Sequence, residues 1–405
     1  MAKRISPFPR NFLWGTSSAA HQVEGETRNS DWWHWAVSGH APFPGVGCDH
    51  YRLYEEDFLL MQKMHHTAHR LSIEWSRIFP QEGVVNRKEI DHYKKVLLSL
   101  KDKHIQSFVT LHHMTSPQWF SNKGGFKNKA NNHFFLDFVT LCAKEFGDLV
   151  DFWITVNEPV TYAAKSYLLG NGPPGEKNII TAFRVFLNLA SVHNASYVRI
   201  KKTLPQTQVG SSHVLTEYVS GGGVSGFFLP SLFHFVNNSL YFILTKKSHD
   251  FVGINCYYRA HISLSNLYRG LKEEDYEGVM RDERHDLGLF LDSTSIYTLL
   301  KYAWDVMKKP LYITEHGISD PTDTKRIGHM NDAVTSMQRA REDGVDIRGY
   351  LHWSFLDNYE WSSGFSSKFG LVSVDPKTKK RTPKKSARYF SSVIKRNEPL
   401  GSENF

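Results

Sequence analysis

Two apolar runs in this sequence end on glutamates: DFWITVNE closes on Glu158, and LYITEHG carries Glu315. Runs of this composition fit strands buried in a sheet, so each carboxylate should emerge at a sheet edge. Two carboxyl groups held about 5 Å apart can cleave a glycosidic bond with retention, one as nucleophile and the other as acid and then base. Carboxylates at strand ends also bind metals or pair with arginines, and position alone leaves those readings open. Trp14, Trp32, Trp33, Trp35, Trp119, Trp353 and Trp361 fall at expected strand ends or in the loops after them. A single tryptophan there is ordinarily a core residue. Several beside Asn, Gln, His and Glu favour a sugar pocket, because flat rings stack on the apolar faces of a pyranose.

These side chains need a scaffold that gathers distant strand ends. Eight β-rich runs recur along the chain, at residues 11–16, 68–74, 106–113, 151–158, 207–214, 250–257, 310–317 and 346–353. Between them, segments 51–64, 89–103, 132–146, 181–202, 293–309 and 330–344 place apolar residues at three- and four-residue spacings, which gives each a single buried helical face. Strand then helix, repeated eight times without a linker, predicts an α/β fold: a single (β/α)8 TIM barrel domain over residues 1–405. Chemistry in such a barrel sits at the C-terminal ends of the strands. Those ends supply Arg70, His112, His113, Asn157, Glu158, Asn255, Tyr257, Glu315 and Trp353.

Bulk properties exclude several classes. With 40% hydrophobic and 14% aromatic residues the chain buries a large core and is not disordered. The net charge of +8 is dispersed among acids except in KTKKRTPKK at 377–385, which reads as a solvated tail segment, and no nucleic-acid partner is expected. Cys48, Cys142 and Cys256 are odd in number and widely spaced, so they form neither a disulfide framework nor a zinc site. HHTAH at 65–69 lies at a helix-to-strand turn without a nearby acid, and no metal is expected. The N-terminus, MAKRISPFPRNFLWG, lacks an apolar signal core, which makes a cytoplasmic protein the expectation. The apolar stretch 227–244 contains Pro230, His234, Asn237 and Asn238; it reads as a helix packed on the domain, with surface membrane contact as the minor alternative.

TVNEP (155–159), YITEHG (312–317), HRLSIEWSR (69–77), FLWGTSSAAHQVEG (12–25), DFVGINCYY (250–258) and GYLHWSFLDNYEWSSGFSSKFGLVSVD (349–375) resemble the family 1 glycoside hydrolases, the β-glucosidase family. The match runs through nearly the whole chain in order. The resemblance implies Glu158 as acid/base and Glu315 as nucleophile, with Arg70 and Tyr257 holding the nucleophile charged and aimed. It implies a sugar pocket in which Gln22 and Glu360 grip the outer hydroxyls, His113 and Asn157 reach the ring hydroxyls, Trp353 forms the platform and Trp361 a wall. The expected substrate is a small-molecule or oligosaccharide β-glycoside, and no cofactor is needed. Relatives acting on 6-phosphorylated sugars carry a serine at the position of Glu360, so DNYEW points to an unphosphorylated sugar. Lys368 is then structural.

Several positions depart from the family pattern. His316 follows the nucleophile where Asn is usual, Met114 stands in place of an aromatic, Cys256 replaces a tyrosine and Val214 an asparagine; GLFLDST at 288–294 lacks the usual Trp and Pro. The chain is short for the family, with the shortfall placed between Gly210 and Asp250, which implies a more open entrance. Besides hydrolysis of β-glucosides, with β-galactosides or β-fucosides as secondary substrates, two readings stay open. One is transfer of the sugar to an alcohol or lipid acceptor, and the other is a silent sugar-binding barrel. Retention of both glutamates weighs against the latter.

Overall fold

In the computed structural model, residues 7–264, 289–291 and 293–400 are described. Each of the expected β-rich runs forms a strand: β1 (Leu13–Ser17), β2 (Ala68–Ser72), β3 (Gln106–His112), β4 (Phe152–Asn157), β5 (Gln208–Val214), β6 (Val252–Asn255), β7 (Leu311–Glu315) and β8 (Ile347–Trp353). They pair in parallel, in the order β1-β8-β7-β6-β5-β4-β3-β2, and close into a barrel. The outer layer comprises α1 (His50–Lys63), α2 (Arg87–Asp102), α3 (Asn132–Phe146), α4 (Ile179–Thr203), α5 (Leu229–Phe233 and Leu240–Thr245 joined by the π-helical turn His234–Ser239), α6 (Ser295–Met307), α7 (Arg326–Glu342) and α8 (Lys385–Arg396). Each helix follows the strand of its own number.

Side-chain periodicity explains the layering. On α2 the residues Ile90, Tyr93, Val96, Leu97 and Leu100 are buried, a single stripe facing the sheet. Asn86 caps this helix by accepting from Lys88 N at 3.2 Å, and Asn178 caps α4 through Thr181 N at 3.0 Å. Inside the barrel, Leu13, Ala68, Phe108, Ile154, Phe251, Tyr312 and Leu351 form a closed apolar plug, with Phe108 and Phe152 stacked at 4.1 Å. This plug fills the N-terminal half of the barrel and leaves polar side chains for the other end.

Two local irregularities aim the glutamates. The register of β4 on β5 shifts between Ile154 and Asn157, and that of β7 on β6 shifts between Ile313 and Glu315. A bulge of this kind re-aims the residues that follow it. Just past β7, a Cβ on Gly317 would lie 2.0 Å from the Trp353 carbonyl oxygen, so glycine is what lets the ends of β7 and β8 approach.

The basic block at 377–385 is not a solvated tail. The Arg381 guanidinium is buried and donates to both oxygens of Asp57, at 2.7 and 2.9 Å, and Lys384 pairs with Asp357 at 2.8 Å. The inward-facing Asp57 on α1 supplies the counter-charge that a reading of local charge density misses. Residues 381–383 then pair with Val372–Val374, and the chain continues into α8, whose Ala387, Phe390, Val393 and Ile394 are buried.

The apolar stretch 227–244 is helical, yet it is only half packed. Tyr241 and Phe242 are buried, whereas Phe227, Phe228, Leu232, Phe235 and Ile243 are exposed. No helix among the described residues is long and apolar enough to cross a membrane.

Candidate active site

Glu158 follows β4 directly and takes a left-handed φ of 44°, a strained region for a glutamate. Pro159 opens the next helical turn, with its fixed φ and missing N–H suited to that first position. The backbone is pinned on both sides: Glu158 N donates to Ser212 O at 2.8 Å, and Glu158 O accepts from Tyr162 N at 2.9 Å. The carboxyl is thereby turned over the barrel mouth, where Asn255 Nδ2 donates to its Oε1 at 2.7 Å. Burial, followed by the nearby charge of Glu315, pushes the Glu158 pKa up to about 7.

Glu315 ends β7 in opposite surroundings. The buried Arg70 guanidinium pairs with its Oε1, and the Tyr257 hydroxyl donates to Oε2 at 2.5 Å. Burial and the two glutamates keep the Tyr257 phenol well above its ordinary pKa, so it remains a donor. Arg70 is held in turn by Thr110 Oγ1 at 3.0 Å and by Asn157 Oδ1 at 2.6 Å. Its position is set from β2, β3, β4 and β7 together.

The rest of the pocket is built around these two carboxyls. His113 lies under the arginine, with Nδ1 3.4 Å from Arg70 Nη2 and Nε2 3.4 Å from Asn157 Nδ2. Burial and then the Arg70 charge hold its pKa well below the usual value, so the ring is neutral. Gln22 Nε2 donates to Glu360 Oε2 at 3.1 Å and to Tyr359 O at 2.9 Å. The Gln22 Oε1 is buried with no partner among the described residues, an acceptor left for a hydroxyl. Trp353 and Trp361 lie nearly parallel to the His113 ring, with centroids at 5.9 and 6.4 Å.

The expected site residues Gln22, His113, Asn157, Glu158, Tyr257, Glu315, Trp353, Glu360 and Trp361 all line this one pocket, and Arg70 lies beneath Glu315. Trp32 joins them, 4.7 Å from Trp361. The other expected tryptophans do not. Trp14 packs outside the strands against Phe8 and Phe12 and donates to Asn397 at 2.8 Å. Trp33 packs on Phe43, Trp35 stacks on His40, and Trp119 packs against Phe134 while donating to Phe79 O. Strand alternation sends Trp14 to the helix layer, and the loops fold the other three outward. His112 likewise turns outward, edge-on to Phe126 and Tyr162.

Among the departures, Met114 and Val214 line the pocket, whereas Cys256 and His316 are buried outside it. His316 stacks on His329 at 4.3 Å, with Nδ1 2.9 Å from the Tyr350 hydroxyl. Gly288 and Asp292 of GLFLDST lie outside the described residues. The rings of HHTAH diverge: His66 meets Phe355 and Phe390, and His69 lies between Thr16 and Ser18. No cluster of three or more His, Cys, Asp or Glu among the described residues could hold a metal. Lys368 contributes backbone contacts, its N–H donating to Ser319 Oγ at 2.9 Å and its carbonyl accepting from Arg326 at 2.6 Å. Asn255, placed at a strand end by the sequence but given no role there, and Thr161, which the sequence does not single out, both contact the Glu158 carboxyl.

Known proteins resemble this chain along nearly its whole length. The profile described as Glycosyl hydrolase family 1 matches residues 4–220 and 231–399. The chain is 30% identical to a 1,4-beta-D-glucan glucohydrolase of Thermotoga neapolitana and to beta-glucosidase A of Thermotoga maritima, in each case over 97% of this chain and 99% of the relative. Those alignments run over 455 and 456 positions against 405 residues here, so the relatives carry insertions. The unmatched residues 221–230 fall within the Gly210–Asp250 stretch expected to be shortened. Among solved structures, a beta-glycosidase from Pyrococcus horikoshii superposes with a TM-score of 0.87 at 31% identity, covering 97% of this chain and 96% of that one. The Thermotoga maritima beta-glucosidase in complex with glucoimidazole superposes with a TM-score of 0.86 at 28% identity, covering 97% and 99%.

Proposed function

Since the chain belongs to glycosyl hydrolase family 1 and is a glycoside hydrolase, we propose that it removes terminal β-D-glucosyl residues, with retention, from unphosphorylated β-glycosides. The observation that carries this reading is the contrast between two carboxyls in one pocket. Glu158 is buried with its pKa near 7, and Glu315 is flanked by a guanidinium and a phenol. A general acid must keep its proton near neutrality, and a nucleophile must stay ionised beside a developing oxocarbenium ion.

In the first step Glu315 attacks the anomeric carbon as Glu158 donates its proton to the leaving oxygen, and a glycosyl-enzyme ester forms. Water then attacks the same carbon, gives its proton to Glu158, and releases the sugar and the Glu315 carboxylate. Asn157, His113, Gln22 and Glu360 supply polar contacts for the ring hydroxyls. Trp353 provides the apolar platform. Glu360 excludes a 6-phosphate by like charge. No step requires a metal or an organic cofactor.

The relatives are named as β-glucosidases and, for Pyrococcus woesei, a β-galactosidase, which supports glucosides first and galactosides second. Transfer to an alcohol or lipid acceptor and a silent binding barrel gain no such support. The buried free thiols Cys48, Cys142 and Cys256 fit a reducing, cytoplasmic setting.

The test is release of aryl alcohol from aryl β-glucosides, followed for the intact enzyme and for Glu315→Ala with and without a competing alcohol. Expected are free β-glucose as the first-formed anomer and a loss of at least about a thousandfold in the variant. An α-configured first product, or a fully active variant, overturns the reading.

A further inference from the structure

A second feature stands apart from the pocket. Of the large apolar side chains exposed among the described residues, more than half lie on α4, on α5 and in the turn before α5. The most exposed are Phe227 at 87%, Ile179 at 70% and Ile180 at 69%, followed by Val198, Ile243 and Phe228. On α4, Ile179, Phe183 and Leu187 follow a four-residue spacing and make one outward stripe; Phe228 just before α5 and Leu232, Phe235 and Ile243 on it make another. The two helices are neighbours: Asn194 Nδ2 of α4 donates to Leu244 O of α5 at 3.0 Å, and Phe186 meets Tyr241 at 6.2 Å.

Charge on this part of the chain is as uneven as polarity. Residues 177–249 contain seven Lys or Arg and one acid, Glu217, a net of +6 out of +8 for the whole chain. Glu217 is paired with Arg259 at 2.7 Å, and two of the seven cations, Arg199 and Lys201, are paired with Asp137 at 3.4 Å and Asp250 at 3.0 Å, so the positive charge of this face rests on Lys177, Arg184, Lys202, Lys246 and Lys247. Lys177 and Arg184 are exposed beside the α4 stripe, and Lys246 and Lys247 are exposed at the end of α5. Phe, Leu and Ile on one face with Lys and Arg at its margins is the composition of a helix surface lying in the headgroup region of a bilayer.

We propose that the face formed by α4 and α5 docks on an anionic lipid surface. Charge complementarity decides between this occupant and a second copy of the chain. A twofold dimer would set the same patch against itself and bring two positive surfaces together, whereas anionic headgroups neutralise them. The geometry adds an orientation. A helix of a βα unit starts at the end of the barrel where its strand finishes, so Ile179, Ile180, Phe227 and Phe228 lie on the side where the pocket opens. Docking would therefore leave the barrel mouth near the lipid surface.

Flotation of the full chain with vesicles tests this, using phosphatidylcholine alone and phosphatidylcholine with about one-third phosphatidylglycerol. Expected is binding to the anionic vesicles that weakens with salt, with at least about tenfold less on neutral ones. Phe227→Glu with Ile180→Glu should cut binding at least about tenfold, and Lys246→Glu with Lys247→Glu about fivefold or more. Val37→Glu with Val84→Glu, exposed apolar positions elsewhere, should leave it unchanged. Circular dichroism melts verify that each variant is folded, and the lysine pair serves if the apolar pair is not. Absence of binding to anionic vesicles, binding that the face variants do not reduce, or a concentration-dependent dimer that the same variants abolish would each overturn the proposal.

Discussion

Asn255 Nδ2 donates to Glu158 Oε1 at 2.7 Å and to Asn157 Oδ1 at 3.2 Å, which makes β6 the support of an acid carried on β4. Its own carbonyl accepts from Thr314 Oγ1 at 2.7 Å, and Thr314 accepts from Ser212 Oγ at 3.0 Å. Because the amide donates to the ionised carboxylate, it restrains the rise in the Glu158 pKa that burial causes. Asn255→Ala should therefore move the basic limb of the pH–rate profile upward while lowering kcat about tenfold or more through lost positioning. A profile of kcat/KM against pH for both proteins checks this; a downward shift would contradict the relay.

For the unmodified enzyme the sign follows from the proposed role of Glu158 as proton donor. With its pKa near 7, kcat/KM on a substrate with a poor leaving group should fall as pH rises through about 7. Aryl glucosides with acidic leaving groups need less proton donation, so Glu158→Gln should slow them much less than alkyl glucosides. Equal losses on both would remove Glu158 from the donor role.

The same shift bears on stability. A folded pKa near 7, raised from 4.5, means that the protonated carboxyl favours the folded state. That contribution is complete below 4.5 and is lost as pH rises through 7. Glu158→Gln should therefore melt higher than the parent at pH 8, by an amount on the order of 1–3 kcal/mol, with the gap closing toward pH 4. Thermal melts across pH measure it directly.

Removing either partner of Glu315 should have separable effects. Tyr257→Phe keeps the ring and deletes one donor, which should cost about ten- to a hundredfold in kcat with little change in melting temperature. Arg70→Met removes the charged donor from both Glu315 and Asn157 Oδ1, leaving each with one neutral donor, Tyr257 and Asn255, and should destabilise the fold by about 3–5 kcal/mol as well. A stable Arg70→Met variant would mean that the pair contributes to chemistry alone.

Much of this was legible in the sequence because the barrel rule converts strand ends into neighbours. Once the β-rich runs were placed, Glu158, Glu315, Arg70 and Tyr257 had to share a rim. The rule does not reveal which way a ring turns at that rim. Trp14 sits in a strand like Trp353, but alternation puts it under α8, against Phe390. Nor does local charge density reveal a distant partner. Arg381 lies in a run of cations, and only the fold brings Asp57 to it. Asn255 was placed at the rim by the same rule, but its contact with Glu158 depends on the register that sets it beside Glu315, which no one strand encodes.

His316, one residue past the proposed nucleophile, is a packing residue in this structure. Its ring is buried against His329 and Tyr350, and burial followed by its histidine neighbours holds its pKa well below the usual range. His69, His113, His193 and His352 are depressed in the same way, with burial as the leading cause. A histidine neutral in the folded state and titrating near 6.5 when unfolded contributes stability that is present above 6.5 and lost as pH falls toward the folded value. Each such group steepens the loss by up to about 1.4 kcal/mol per pH unit. The melting temperature should thus drop sharply between pH 6.5 and 5, and His316→Asn should flatten that drop while leaving both limbs of the pH–rate profile where they were. A moved limb would mean that His316 titrates with the catalytic pair after all.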